Sequence, residues 1–208
     1  MPVRILIADD HAIVREGLAM ILGSSGMTVV GEARDGRDAV ALVDAHRPHV
    51  VVMDIAMPEL NGIDATRMIR ERFPDVRVIV LSMHNTSEHV FRAMQAGAHA
   101  YLLKESAGAG LVDAVRAVVK GECYFGEGVD APLTALGSRS PLDSLSPRER
   151  EVIQLVAEGR TSAEIAESLS LSPKSIETYR SRLMVKLGVG NIPGLVKFAL
   201  QHGITPAP

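Results

Sequence analysis

Over the first ~120 residues two patterns alternate along the chain. Short apolar runs rich in β-branched residues are VRILIA (3–8), TVVGEA (28–33), HVVVMD (49–54), VRVIVLS (76–82) and HAYLL (99–103). Longer amphipathic stretches follow, beginning near Ala12, Gly36, Gly62, Thr86 and Ser106. A strand that is apolar on both faces has to be covered on both, as in a parallel sheet flanked by helices. The alternation predicts (βα)5, a doubly wound parallel-sheet α/β domain.

The pattern stops at GECYFGEGVDAPLTALGSRSPLDS, which is rich in Gly, Pro and Ser and has no sustained period. Residues 122–143 are expected to be a linker, with room for some local order, between a domain at 1–121 and another at 144–208. Beyond it the punctuation is that of short helices. Ser146-Pro147-Arg148-Glu149 is a capping box with proline at the first helical position. Gly159 stops that helix. Thr161-Ser162-Ala163-Glu164 is a second capping box. Ser172 and Pro173 open a third helix that ends near Gly188, and a fourth spans about 192 to 202, closed by Gly203. Four short helices, with a tight turn between the second and third, predict an all-α helix-turn-helix unit.

Composition changes this picture little: 47% hydrophobic and 23% charged residues are ordinary for a globular chain of 208 residues. Charge by segment says more. From Leu145 onward eight basic residues face six acidic ones, a net +2, which leaves −5 for the first 144 residues of a chain whose net charge is −3. An acidic front and a mildly basic back suggest two modules with different partners. The single cysteine, Cys123, excludes an internal disulfide and has no neighbouring cation cluster to activate it. No apolar run approaches the roughly 18 residues of a membrane span. The start, MPVRILIADD, lacks the features of a signal peptide, so the expected location is the cytoplasm, with no membrane partner.

The chemistry gathers at strand ends. Asp9 and Asp10 follow the first strand, and Asp54 ends the third. Ligands of open parallel sheets collect at the carboxyl ends of strands, by the point where strand order reverses. If the first and third strands are neighbours, three carboxylates converge there. Each raises the others' pKa unless a cation joins them. A few hard oxygen ligands suit Mg²⁺, which keeps several waters and adds a phosphate. Ser82 ends the fourth strand and Lys104 follows the fifth, on the same rim. A hydroxyl and an ammonium are what developing phosphoryl oxygens need. His11 is expected simply to open the first helix.

These residues carry a resemblance. DDH at 9–11, MDIAMPELNG at 53–62, LS at 81–82 and YLLKE at 101–105 resemble the receiver domain of bacterial two-component response regulators. LSPREREVIQLVAEGRTSAEIAESLSLSPKSIETYRSRLMVKLGV resembles the LuxR-type helix-turn-helix, and together they are similar to the NarL/FixJ subfamily over nearly the whole chain. The resemblance implies that Asp54 is the phosphoacceptor for a sensor histidine kinase. Asp9, Asp10, Asp54 and the backbone carbonyl of Ala56 would place Mg²⁺, and Lys104 would hold the phosphoryl oxygens. Ser82 and Tyr101 would form a switch pair, Ser82 swinging in to donate to the phosphoryl group and Tyr101 turning to fill the space.

With Ile176 at 0° and about 100° per residue, Tyr179, Leu183 and Leu187 fall within about 60° of it and form a core stripe. Lys174, Glu177, Thr178, Ser181 and Val185 lie on the far side, flanked by Arg182. Such a helix packs on a scaffold while facing a DNA major groove. Glu177, Thr178 and Ser181 match family positions that contact DNA, and Lys174 reaches guanine or phosphate. Arg180, Arg182 and Lys186 are expected at phosphates, which position without specifying. Leu195, Val196, Ala199 and Leu200 in the last helix are expected to pair two copies, as LuxR-type modules do, giving an activated homodimer on an inverted-repeat promoter site.

The function expected is a phosphorylation-switched, DNA-binding transcription regulator and not an enzyme. The alternative is an atypical regulator that binds DNA independently of phosphorylation, against which the intact Asp54, Ser82 and Lys104 set argues. Phosphatases that use an aspartate nucleophile want a second Asp two residues on, where this chain has Ala56. A nucleotide-binding fold is weaker still, for there is no GxGxxG after the first strand and no P-loop.

Overall fold

The structure, a computed structural model, describes residues 2–129 and 141–205. The chain divides into two compact units between residues 136 and 137. The first holds β1 (Arg4–Ala8), α1 (Ala12–Ser24), β2 (Thr28–Ala33), α2 (Gly36–His46), β3 (Val50–Asp54), α3 (Gly62–Arg72), β4 (Arg77–Ser82), α4 (Ser87–Gln95), β5 (Ala100–Leu103), α5 (Ala107–Lys120) and β6 (Tyr124–Phe125). A single 3₁₀ turn, Lys104–Ser106, separates β5 from α5.

The sheet is parallel throughout, in the order β2-β1-β3-β4-β5-β6. Both faces are buried, and the alternation of side chains divides each strand between two cores. Leu6, Val51, Met53, Val78, Val80 and Tyr101 pack with α2, α3 and α4 on one face. Ile5, Ile7, Val50, Val52, Ile79 and Leu102 pack with α1 and α5 on the other. That is why VVVM reads as one apolar run: neither face meets water. β1 lies beside β3, with Ala8 opposite Met53, so the strand order reverses between these two.

The five expected βα units form, and a sixth, two-residue strand joins the sheet at its edge. β6 pairs with β5, Tyr124 opposite Ala100 and Phe125 opposite Tyr101, inside the stretch expected to be linker. Tyr124 packs on one core, and Phe125 and Val129 on the other. Two residues in a glycine-rich stretch give no period to detect, so only the edge of β5 reveals the strand. Residues 130–140 of the expected linker lie outside the described residues.

The second unit has a 3₁₀ turn (Pro141–Ser144), then α6 (Pro147–Ala157), α7 (Ser162–Ser168), α8 (Pro173–Leu187) and α9 (Ile192–Gln201). Both capping boxes form: Ser146 with Glu149 and Thr161 with Glu164 each exchange side-chain and backbone hydrogen bonds. Ser172 caps α8, and Gly188 ends it in the left-handed conformation. The core joins Leu142 and Leu145 to Val152, Ile153, Ile165, Ile176, Leu183 and Leu195.

Candidate functional site

The β1–β3 reversal brings the expected carboxylates together. Asp9 and Asp54 are 0% and 1% exposed. Lys104 Nζ lies 2.8 Å from Asp9 Oδ2 and 2.8 Å from Asp54 Oδ2, bridging the two. Burial pushes the Asp54 carboxyl above its ordinary pKa, while Lys104 and the Ala56 N–H pull the other way. Burial acts against the Lys104 ammonium too, but the Asp54 and Asp9 carboxylates outweigh it and hold its pKa above the ordinary lysine value. Asp10 is exposed beside them, and His11 joins the group, Nδ1 lying 2.7 Å from Asp10 Oδ1. Ligand atoms of Asp9, Asp10, His11 and Asp54 all lie within 4.8 Å of one another. One lysine offsets one of three carboxylates, so the donor set is hard, oxygen-rich and two charges short of neutral. That fits a divalent cation such as Mg²⁺.

The loop after β3 explains the motif around Asp54. Gly62 N–H donates to Ile55 O at 2.9 Å. A Cβ on Gly62 would sit 1.8 Å from the Asp54 carbonyl oxygen, so only glycine lets α3 start against the end of β3. On the neighbouring strands Ser82 and Tyr101 share one residue. His84 N–H donates to Ser82 Oγ at 3.0 Å, and Tyr101 O–H donates to the His84 carbonyl at 2.7 Å. Tyr101 is fully buried, and burial pushes its pKa up to about 12. The Tyr101 ring lies in the core on the α4 side of the sheet.

In the second unit α8 turns Ile176 and Leu183 into the core, with Tyr179 and Leu187 packed at its margin. Lys174, Glu177, Thr178, Ser181 and Arg182 are exposed on the outer face, with Val185 at 84% exposure. Thr178 and Ser181 donate their hydroxyl protons to the Lys174 and Glu177 carbonyls, both at 3.0 Å. Ser162, in the first turn of α7, donates to Glu177 Oε1.

Residues 5–116 match the response regulator receiver domain, and residues 143–199 match the bacterial regulatory proteins of the luxR family. The chain is 37% identical over 203 residues to the transcriptional regulatory protein MctR of Rhizobium johnstonii, covering 97% of this chain and 95% of that one. This chain belongs to the NarL/FixJ response regulators. The regulator is also 39% identical to the oxygen regulatory protein NreC of Staphylococcus epidermidis, over 95% of this chain and 97% of that one. Among solved structures it resembles the RcsB response regulator of Salmonella typhimurium, with a TM-score of 0.68, 32% identity and 99% of each chain covered. A structure of an RcsB–DNA complex matches at a TM-score of 0.59 and 32% identity, over 95% of this chain and 98% of that one. The family is one of DNA-binding transcriptional regulators and not of classical enzymes.

Several expected site residues of the regulator have partners within their own domain. Lys186 Nζ lies 2.8 Å from Glu149 Oε2 and bonds the Ser144 carbonyl, so it braces α8 against the start of α6. Its place about 80° from Ile176 on the helical wheel was a signal for this. Arg180 is half-buried and donates to the Arg160 carbonyl at 3.0 Å. In α9, Leu195 and Ala199 are 0% exposed within their own domain core, which leaves Val196, partly buried, and Leu200 at the surface. Gly62 and His84 were missed as site residues. Asn61-Gly62 hinted at the first; nothing local marks the second.

Proposed function

We propose that the regulator carries its signal as a phosphoryl group on Asp54, received from the phosphohistidine of a sensor histidine kinase. The donor N–P bond breaks as a P–O bond forms to an Asp54 carboxylate oxygen. The observation that carries this reading is the Lys104 bridge to Asp9 and Asp54 at the carboxyl ends of β1, β3 and β5. Asp9, Asp10, Asp54 and the Ala56 carbonyl would hold Mg²⁺, whose charge would offset that developing on the transferring group. Lys104 stays beside Asp54 and pairs with the phosphoryl oxygens. Ser82 can donate its O–H to the phosphoryl group while still accepting from His84, so a pull on Ser82 passes through the His84 peptide to Tyr101 and the start of α4.

The output is promoter DNA. Thr178 and Ser181 spend their protons inside α8, so outward they offer lone pairs to base amino groups and, from Thr178, a methyl to thymine. Lys174 and Arg182 supply phosphate contacts. A chain that works on promoters works in the bacterial cytoplasm. Among the described residues no single helix is long and apolar enough to cross a membrane.

Incubation with Mg²⁺ and acetyl phosphate, followed by intact-mass measurement, tests the assignment. One phosphoryl group should appear on the wild type and none on Asp54→Asn. Uptake by Asp54→Asn at the wild-type level sinks the reading. DNA affinity that is equal before and after phosphorylation favours the phosphorylation-independent alternative.

A further inference from the structure

Arg15 is a buried cation with no part in the scheme above. It stands one turn past His11 in α1 and is 7% exposed. Taking a guanidinium out of water is costly unless its N–H groups find partners. Nη1 donates to the main-chain carbonyl of Asp9 at 2.7 Å. Nε donates to Glu32 Oε2, on β2, at 3.2 Å. The Asp9 N–H donates in turn to the Ala33 carbonyl at 3.2 Å, at the end of β2. Both hydrogen-bonding groups of the Asp9 backbone are thus held, while its carboxylate accepts the His11 N–H at 2.9 Å and pairs with Lys104.

We propose that Arg15 is a positioning residue for the cation site. Through the Asp9 carbonyl it fixes the Asp9–Asp10–His11 turn, so that the two carboxylates are set before a cation arrives. The inference rests on reading Asp9, Asp10 and Asp54 as that site. A planar guanidinium suits the task because its fork spans a carbonyl and a carboxylate in fixed directions, which a lysine ammonium does not. Residues behind the ligands commonly matter 10–100-fold in metal affinity.

The sign of the effect separates positioning from charge. Arg15 is itself positive, so if it acted only through its field, removing it would tighten Mg²⁺ binding. Positioning requires the reverse. Glu32→Gln separates positioning from packing, because it weakens the link between α1 and β2 but leaves the Arg15–Asp9 hydrogen bond.

The experiment is calorimetric titration of the full chain with Mg²⁺ alone, for wild type, Arg15→Met, Arg15→Lys and Glu32→Gln. Amide hydrogen exchange at His11 is the second readout. Arg15→Met should bind Mg²⁺ about 10-fold or more weakly and exchange the His11 amide faster. Arg15→Lys should recover part of the loss, and Glu32→Gln should keep wild-type affinity. Arg15→Met binding as tightly as wild type or tighter overturns the proposal, and so does a Glu32→Gln loss equal to that of Arg15→Met. If Arg15→Met does not fold, Arg15→Lys against Glu32→Gln decides on the same signs. A wild type that binds no Mg²⁺ overturns the cation site itself, a different result from a wild type that binds while the variants match it.

Discussion

Gly62 shows how tightly a single residue can be constrained beside a site. A Cβ added there would come within 1.8 Å of the Asp54 carbonyl oxygen, which leaves no side chain a place. Gly62→Ala should cost about 1–3 kcal/mol of overpacking strain. Gly17, in α1, has nothing within 4 Å of an added Cβ, and Gly17→Ala should gain about 0.5–1 kcal/mol from the chain entropy of glycine. Urea unfolding reads both, and a common sign for the two would contradict the packing described. A second residue carries a pH dependence. Burial, helped by Arg70 and Arg77, lowers the pKa of His99 from 6.5 to about 4. Its Nδ1 accepts the Val78 N–H at 3.2 Å. The unfolded chain therefore binds a proton that the folded one refuses between these values. The contribution is whole above pH 6.5 and is lost as pH falls towards about 4. Urea midpoints at pH 7 and pH 5 should differ more in wild type than in His99→Gln. An equal drop in both would remove His99 from the account.

At the scale of elements, α8 divides its cations between two tasks. Lys186 spends its charge on Glu149, whose pKa is lowered: burial works against ionisation, but Lys186 and the Ser146 cap outweigh it. Arg182 is exposed on the outward face. Arg182→Ala should weaken binding to all DNA sequences alike and reduce the slope of log affinity against log salt by about 1. Lys186→Ala should instead lower the thermal midpoint of the second unit and leave that slope unchanged. Affinity titrations at several salt concentrations measure the slopes, and a reduced slope in Lys186→Ala would return that lysine to the phosphates.

At the scale of the whole molecule the question is pairing. One four-helix module offers few base contacts, and two-fold pairing doubles them and imposes symmetry on the site. Of the residues expected to pair in α9, Leu195 and Ala199 cannot leave their core without unfolding it, so the burden falls on Leu200 and the exposed edge of Val196. The phosphorylated regulator should bind an inverted repeat as a dimer, and Leu200→Asp should keep its fold while losing affinity for the full site more than for a half-site. Mobility-shift titrations on both sites measure this. Equal affinity of wild type and Leu200→Asp for the full repeat would rule out pairing through α9.

The sequence by itself determined the alternation of strands and helices, the helix caps and the strand ends that carry Asp9, Asp54, Ser82 and Lys104. These are local properties: a period of two or 3.6, a serine three residues before a glutamate, a charge at the end of an apolar run. Only the tertiary structure decided what each buried position meets. Apolar pattern says that Leu195 and Leu200 both belong to an amphipathic helix, but the packing of α6 against α9 settles which one is covered. Helical phase put Lys186 beside the core, yet its partner Glu149 comes from a different helix. β6 exists because β5 has a free edge, and two residues are enough to pair with it. Arg15 reads as one more helix charge until the β1–α1 turn folds over it and β2 brings Glu32. In each case the deciding contact joins residues far apart in the chain, and a one-dimensional pattern records burial but not the partner.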